Sequence, residues 1–89
     1  MIEVVKRKGQ KEKFDEKKLY ASVYAACTVA NMREKGCESV ANFVLKKVKG
    51  ELKRKKVVNS KTIANRVATH LKKKSKEASF IYETHMDIS

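Results

Sequence analysis

The sequence contains no proline and only three glycines, Gly9, Gly36 and Gly50. A phosphate-binding Walker loop needs the pattern GxxxxGK[ST], and these glycines do not supply it. The catalytic signatures GxSxG and HExxH are missing as well. Because an enzyme needs a convergent set of reactive groups, we expect this chain to be a protein without catalytic activity.

Apolar runs long enough for a signal-peptide core or a membrane helix are also missing, so we expect a cytoplasmic protein. The two cysteines, Cys27 and Cys37, form no CxxC pair, and the chain has only two histidines. This spacing matches no zinc or redox motif, and no metal site is predicted. We expect both thiols to be reduced, with Cys27 on an apolar helical stripe and Cys37 in a more exposed loop beside Gly36.

Acidic residues are few, with ten Asp and Glu against 22 Lys and Arg, which leaves a formal charge of +12. Anions are therefore the expected partners: nucleotides, nucleic acids, acidic membrane surfaces or acidic proteins. The hydrophobic content of 42% is that of an ordinary globular protein, so these charges cover a folded chain. With 89 residues and no low-complexity linker, the sequence predicts one domain over residues 1–89.

Alternating side chains on both sides of residues 7–9 predict an N-terminal β-hairpin. A two-residue turn at Lys8 and Gly9 would split the apolar residues between the two faces. A three-residue loop, with Gly9 in the left-handed conformation, places all of them except Val5 on one face. Its cross-strand pairs are Lys6 with Gln10, Val4 with Glu12, and Ile2 with Phe14. We predict this register, which also turns Lys6 and Glu12 toward the inward apolar face.

Helical periodicity predicts that most of the remaining chain is α-helical. Asp15 caps a first helix over about residues 16 to 33, which ends at a turn around Lys35 and Gly36. A second helix has a buried stripe consisting of Val40, Phe43, Val44, Val48 and Leu52. Asn59 or Ser60 caps a third helix, and residues 78–88 form a short fourth one. The expected fold is α+β, with an N-terminal β-hairpin capping a compact bundle of about four helices.

The N-terminal segment also resembles a known family. Residues 4–19 read VVKRKGQKEKFDEKKL and are similar to the opening signature of the ATP-cone family, V-x-K-R-[DN]-G-x-x-E-x-[FI]-[DN]-x-x-K-[IL]. Only Lys8 departs from it, standing where the family has an acidic or amide residue. Residues 58–63, VNSKTI, resemble the capped start of the family's third helix. The resemblance extends over essentially the whole chain and is strongest over residues 4–19.

ATP-cones are regulatory modules of ribonucleotide reductases and of a transcriptional repressor of their genes, in which they sense ATP and dATP and change subunit association. The resemblance implies their fold, a β-stranded cap over a four-helix bundle. It also implies a nucleotide site: Val4, Phe14, Leu19 and Ile63 at the adenine, Glu12 and Asp15 as acceptors for its amine, Lys6 and Arg7 at the phosphates, and Ser60 near the ribose or phosphates. His85 stands in for a basic residue on the family's last helix.

The expected function is reversible binding of ATP or dATP, with Mg²⁺ on the phosphates, which controls association of the chain with itself or with a partner protein. A nucleic-acid-binding module is the alternative, because lysine-rich runs occupy residues 53–56 and 72–76. Simpler roles exist for individual residues. The hairpin lysines could protect an edge strand from aggregation, and Glu12 could be only a cross-strand partner of a lysine.

Overall fold

The computed structural model describes residues 2–85, except for the side chain of His85. These residues form a three-stranded sheet and four helices, which confirms the predicted α+β fold. In chain order the elements are β1 (Glu3–Val5), β2 (Lys11–Lys13), α1 (Glu16–Val29), α2 (Glu34–Leu52), β3 (Val57–Asn59), α3 (Ser60–Lys72) and α4 (Lys76–His85). Among these helices, none has the length and apolar character required to cross a membrane.

The first two strands form the predicted hairpin in the predicted register. Val4 lies opposite Glu12, and the backbone amide of Lys6 donates to the carbonyl of Gln10 over 2.7 Å. Gly9 has a φ of +83°, a left-handed conformation that glycine adopts without a steric cost. The side chain of Val4 therefore faces the helices, where it is buried in the core.

The third strand, β3, has no counterpart in the sequence-based prediction. It pairs in parallel with β1, with Val58 opposite Val4, so that the strand order is β2-β1-β3. A strand of three residues that follows the lysine run 53–56 is too short to show a clear alternation. Because α3 begins directly after β3, this pairing fixes the N-terminus of α3 beside the hairpin.

The prediction for the end of α1 is wrong. The helix ends at Val29, and the predicted turn at Lys35 and Gly36 lies inside α2. The actual break is a Schellman motif centred on Asn31, which has a φ of +63°. The amide of Met32 donates to the carbonyl of Cys27, and the amide of Asn31 donates to the carbonyl of Thr28. Asparagine tolerates the left-handed region, so it replaces the glycine expected at this point.

This shift of the helix boundary also corrects the prediction for Cys37. The residue lies in the first turns of α2 with only 1% of its surface exposed, not in an exposed loop. Its sulfur lies 3.7 Å from Thr28 Oγ1 and 3.6 Å from the carbonyl oxygen of Met32. Cys27 is also fully buried, as predicted, and both thiols are free.

The other helix boundaries follow the predicted caps closely. The Asp15 carboxylate accepts from the amides of Lys17 and Lys18 at the start of α1. Of the two candidate caps for α3, Asn59 is the actual one, because its Oδ1 accepts from the Lys61 amide over 2.8 Å. Helix α4 begins at residue 76 instead of 78. The predicted end of that helix at residue 88 lies outside the described residues.

A side-chain cluster around Glu51 joins α2 to α3. The Glu51 carboxylate accepts from Arg66 through both of its oxygens, and His70 Nε2 lies 3.0 Å from Glu51 Oε1. The hydrogen bonds from Arg66 are the main cause that lowers the pKa of Glu51 to about 2, with a smaller contribution from His70. Burial of the carboxylate opposes this shift only in part.

We predict that Asn31→Ala lowers the free energy of unfolding by about 1 kcal/mol, because a Cβ-bearing residue without a side-chain amide is strained in the left-handed region. Asn31→Gly removes the strain, so its stability should stay within about 0.5 kcal/mol of the parent. Urea denaturation of the three proteins measures the difference. Equal effects of alanine and glycine would contradict the assigned Schellman motif.

We predict that Glu51 stabilises the fold in a pH-dependent way. Since its folded-state pKa of about 2 is below the reference value of 4.5, its contribution is complete above about pH 5 and disappears as the pH falls toward 2. The stability difference between the parent and Glu51→Gln should shrink over that interval in denaturation measurements. Glu38→Gln is the control, since Glu38 is exposed on the same helix and makes no ion pair with the described residues. A difference that does not change with pH would refute this role.

Candidate functional site

A cavity lies where the inner face of the hairpin meets the starts of α1 and α3 and the side of α4. It contains about 510 Å³ of space free of protein atoms, including the part that opens to solvent. The lining residues come from the hairpin and three helices: Val4, Lys6, Glu12, Lys13, Phe14, Asp15, Lys18, Leu19, Ser60, Ile63 and Tyr82.

The inner part of the cavity is apolar. Val4 on β1, Leu19 on α1 and Ile63 on α3 are all buried, and the ring of Phe14 is half-buried between the hairpin and α1. Each of these residues lies on its element's core-facing side, so the same periodicity that builds the core also builds these walls. Apolar walls contributed by several elements suit a flat aromatic ligand.

The rim of the cavity carries charges of both signs. Lys6 Nζ lies 3.1 Å from Glu12 Oε2, and Lys18 Nζ lies 3.9 Å from the same oxygen. The hairpin register causes the first contact, because it places Lys6 and Glu12 diagonally across the two strands on one face. The side chains of Lys6, Glu12 and Lys18 are 21%, 44% and 73% exposed, so both pairs are in contact with solvent. Ion pairs this exposed contribute little to stability, so an incoming anion can replace the carboxylate as partner of the lysines.

Two helix N-termini border the same cavity. Asp15 Oδ1 accepts from the amides of Lys17 and Lys18, over 2.9 and 3.3 Å, as the cap of α1. Both of these bonds use one oxygen of the carboxylate. Ser60 is a buried first residue of α3, next to the cap Asn59. The amides in the first turn of α3 give this border a partial positive charge that favours an anion.

Tyr82 reaches the cavity from α4 with 1% of its surface exposed. Its hydroxyl is buried and makes no hydrogen bond with any described residue. Burial raises the pKa of the Tyr82 phenol, and an interaction of its hydroxyl with the Ser22 side chain, whose geometry falls short of a hydrogen bond, opposes that rise. Ser22 Oγ donates its own hydrogen to the carbonyl of Leu19 over 2.8 Å. A buried hydroxyl without a partner is costly, which makes Tyr82 a candidate to bind a ligand.

The structure brings together eight of the nine residues that the sequence predicts for the nucleotide site. The exception is Arg7, which is exposed in the hairpin loop and does not line the cavity. The side chain of His85 lies outside the described residues. That the eight residues contact a nucleotide remains a prediction, because proximity alone does not show what they bind.

Three lining residues, Lys13, Lys18 and Tyr82, are missing from the predicted site. Lys18 had a usable signal, since it lies three residues after Asp15 and must therefore project from the first turn of α1 toward the same side. Lys13 immediately precedes Phe14 at the end of the hairpin. Tyr82 gave no local signal, because its position depends on how α4 packs against the other helices.

These features fit the chemistry of an adenine nucleotide. The apolar walls accept a purine, carboxylate oxygens of Glu12 and Asp15 can accept from its amine, and the lysines at the rim can neutralise phosphates. His, Cys, Asp and Glu side chains in the described part of the chain form no group of three that could hold a metal ion.

Comparisons with known proteins give a family for the chain. The family model for the ATP cone domain matches residues 2–81, from the start of the hairpin into α4. A search of curated protein sequences finds no match. The family match covers nearly the whole chain and includes every lining residue of the cavity except Tyr82. The chain therefore belongs to the ATP-cone family, whose domains are regulatory modules that bind adenine nucleotides.

Proposed function

We propose that this chain binds ATP or dATP in the cavity under the hairpin and that the nucleotide controls its association with itself or with a separate partner protein. The observation that carries the proposal is the cavity itself, where apolar walls and a lysine rim meet on the face predicted from the hairpin register. In this proposal the chain is a sensor in the cytoplasm, without a catalytic step.

The proposed position of the base is the apolar slot. Val4, Leu19 and Ile63 supply its walls, and the Phe14 ring offers a face for stacking. The carboxylates of Glu12 and Asp15 lie at the edge, where they can accept hydrogen bonds from the exocyclic amine of adenine. Guanine has a carbonyl oxygen at that position, which two carboxylates would repel. The site should therefore prefer adenine to guanine.

The phosphates are proposed to lie at the rim, against Lys6, Lys13 and Lys18. Lys6 and Lys18 already share the Glu12 carboxylate, and a triphosphate offers them more negative charge in a similar place. The N-terminus of α3 adds backbone amides at the same end of the cavity, because the parallel register that pairs Val5 with Asn59 brings Ser60 close to Lys6. Mg²⁺ in this proposal is carried by the phosphate oxygens, as is usual for nucleotides.

Regulation requires that the nucleotide bind the associated and the free forms with different affinity. The location of the site supports such a difference, because its walls come from the hairpin and from three helices that a bound ligand would hold together. The alternative view, in which Lys6 and Glu12 only protect an edge strand, predicts no effect of either side chain on nucleotide binding.

The proposal is tested by calorimetric titration of the protein with ATP, dATP and GTP. We expect Lys6→Ala to weaken ATP binding about tenfold, the value of one charge-assisted hydrogen bond. Glu12→Ala should remove most of the preference for ATP over GTP. Lys11→Ala is the matched control, because Lys11 lies on the same hairpin but pairs with Val5 and does not line the cavity.

Equal and weak binding of the three nucleotides would contradict the proposal. So would a loss of affinity in Lys11→Ala as large as that in Lys6→Ala, since it would show a general effect of charge. Sedimentation velocity with and without nucleotide then tests the regulatory part, with the chain alone and at several concentrations. If ATP and dATP leave the distribution of sedimentation coefficients unchanged, the nucleotide does not control self-association, and only association with a separate partner protein remains in the proposal.

Tyr82→Phe provides a second, independent prediction. Because the Tyr82 hydroxyl has no partner among the described residues, its removal should leave the free energy of unfolding unchanged or raise it by about 1 kcal/mol. The same change should weaken ATP binding about fivefold, because the hydroxyl gains its hydrogen bond only in the complex. Thermal denaturation and calorimetry measure the two effects. Tyr20→Phe is the control, because Tyr20 lies on α1 and does not line the cavity. Unchanged ATP affinity in Tyr82→Phe would exclude contact between its hydroxyl and the ligand.

A further inference from the structure

The positive charge of the chain is concentrated in residues 46–76, called here the basic segment. It contains thirteen of the 22 Lys and Arg residues but only one of the ten acidic residues, Glu51. The rest of the chain is balanced, with nine basic and nine acidic residues. The whole formal charge of +12 therefore belongs to about a third of the sequence.

The structure folds the basic segment into the second half of α2, then β3, α3 and the turn into α4. Lys47 from α2 and Lys74 from the α3–α4 turn converge on the ring of Phe43, with their Nζ atoms 5.7 and 4.4 Å from its centre. Arg66 lies between α2 and α3, bonded to Glu51. These contacts place side chains from both helices on one surface, which we call the α2–α3 face.

Further exposed cations lie at both ends of α3, beyond the contacts that define this surface. Residues 53–56 precede β3, Lys61 lies in the first turn of α3, and residues 72–74 end the helix. All of these lysines and Arg54 are exposed. With thirteen residues, α3 is about 20 Å long at 1.5 Å per residue. The cations are therefore distributed over a length of about 20 Å instead of being gathered at one point.

Lys49 pairs with Glu16 on α1 over 3.0 Å, but among the described residues no ion pair is formed by the lysines named on the α2–α3 face. Its one carboxylate, Glu51, is already occupied by Arg66 and by His70. Mutual repulsion of exposed lysines is unfavourable, and a bound polyanion would relieve it. The cavity under the hairpin is a separate feature, because Ser60 and Ile63 are its only lining residues from the basic segment and neither is charged.

The dimensions of the face favour one class of anion. One strand of a duplex has a phosphate every 3.4 Å or so, and about six of them span the length of α3. A membrane surface would be expected to meet an apolar stripe among the lysines. Here Phe43 is only half exposed and has Lys74 over its ring, and Val57 is the single large apolar residue of the basic segment that is exposed. Because this ring is not free for base stacking, contact with the phosphate backbone is favoured over recognition of bases.

We propose that the α2–α3 face binds the phosphate backbone of a nucleic-acid duplex without reading its sequence. The inference does not rest on the nucleotide site, and either one can fail without the other. It gives the chain a second anion-binding surface, selective for a long array of phosphates instead of a single triphosphate.

The test measures fluorescence anisotropy of a labelled 20-base-pair duplex of arbitrary sequence, titrated with the full chain between about 50 and 200 mM salt. Contact with about five phosphates predicts that the logarithm of the binding constant falls with the logarithm of salt concentration with a slope of about −4.5. Affinity should thus drop several hundred-fold over that interval. A second duplex of unrelated sequence should bind equally well.

Two triple variants with the same loss of charge distinguish binding at a defined surface from attraction of the duplex to the net charge of the protein. Lys47→Gln/Lys55→Gln/Lys74→Gln removes three cations from the basic segment, two of them at Phe43, and should weaken binding at least tenfold while reducing the slope. Lys8→Gln/Lys11→Gln/Lys35→Gln removes three cations elsewhere, none of which line the cavity, and should change binding less than about twofold. Thermal denaturation of both variants verifies that they fold.

Several results would overturn the inference. Equal weakening by the two triple variants would show attraction to net charge alone. Tighter binding to a single strand than to the duplex would show that the face contacts bases and would contradict the proposed contact with the duplex backbone. Binding to vesicles that contain phosphatidylserine, with no binding to the duplex at 50 mM salt, would assign the face to a membrane. Titration of ATP into the α2–α3 variant should remain unchanged, which keeps this test separate from that of the nucleotide site.

Discussion

The pairing of β1 with a strand on each side is the constraint on which the candidate site depends. Val4 lies opposite Glu12 on β2 and opposite Val58 on β3. The first pair turns Lys6 and Glu12 inward, and the second places the N-terminus of α3 against the hairpin. A slip of one residue in either register would exchange the faces of a strand. A slip between β1 and β2 would turn Glu12 away from the cavity, and a slip between β1 and β3 would shift the N-terminus of α3 relative to the hairpin.

Local patterns predicted the hairpin and the helix starts because short-range physics determines them. Gly9 permits the three-residue loop, and the Asp15 carboxylate caps α1 through amides two and three residues away. The inward face of the hairpin follows from alternation alone. Alternation accounts for the hairpin residues of the site, whereas Leu19, Ser60 and Ile63 were assigned to it by the resemblance to the ATP-cone family.

The features that escaped prediction depend on contacts distant in sequence or on an unusual residue. Strand β3 forms through its hydrogen-bonded pairing with β1, and its three residues are too few to show an alternation of apolar and polar side chains. The end of α1 depends on Asn31 taking a conformation more typical of glycine, so the obvious signal at Gly36 was misleading. Tyr82 belongs to the site only because α4 packs against α1 and α3. Sequence periodicity indicates that such a residue is buried, but it does not indicate which residues of other elements surround it.

The hairpin is also the element best suited to respond to a ligand. Its outer strand β2 consists of three exposed residues and pairs only with β1, whereas the helices share a common core. Elements with few buried contacts open at lower free-energy cost than the core does. A ligand that touches Glu12 on β2 and Ser60 on α3 at once would stabilise the closed hairpin by its own binding free energy. Under the proposed function, occupancy of the cavity would therefore stabilise the exposed edge at β2, and a strand edge is a surface through which chains can associate.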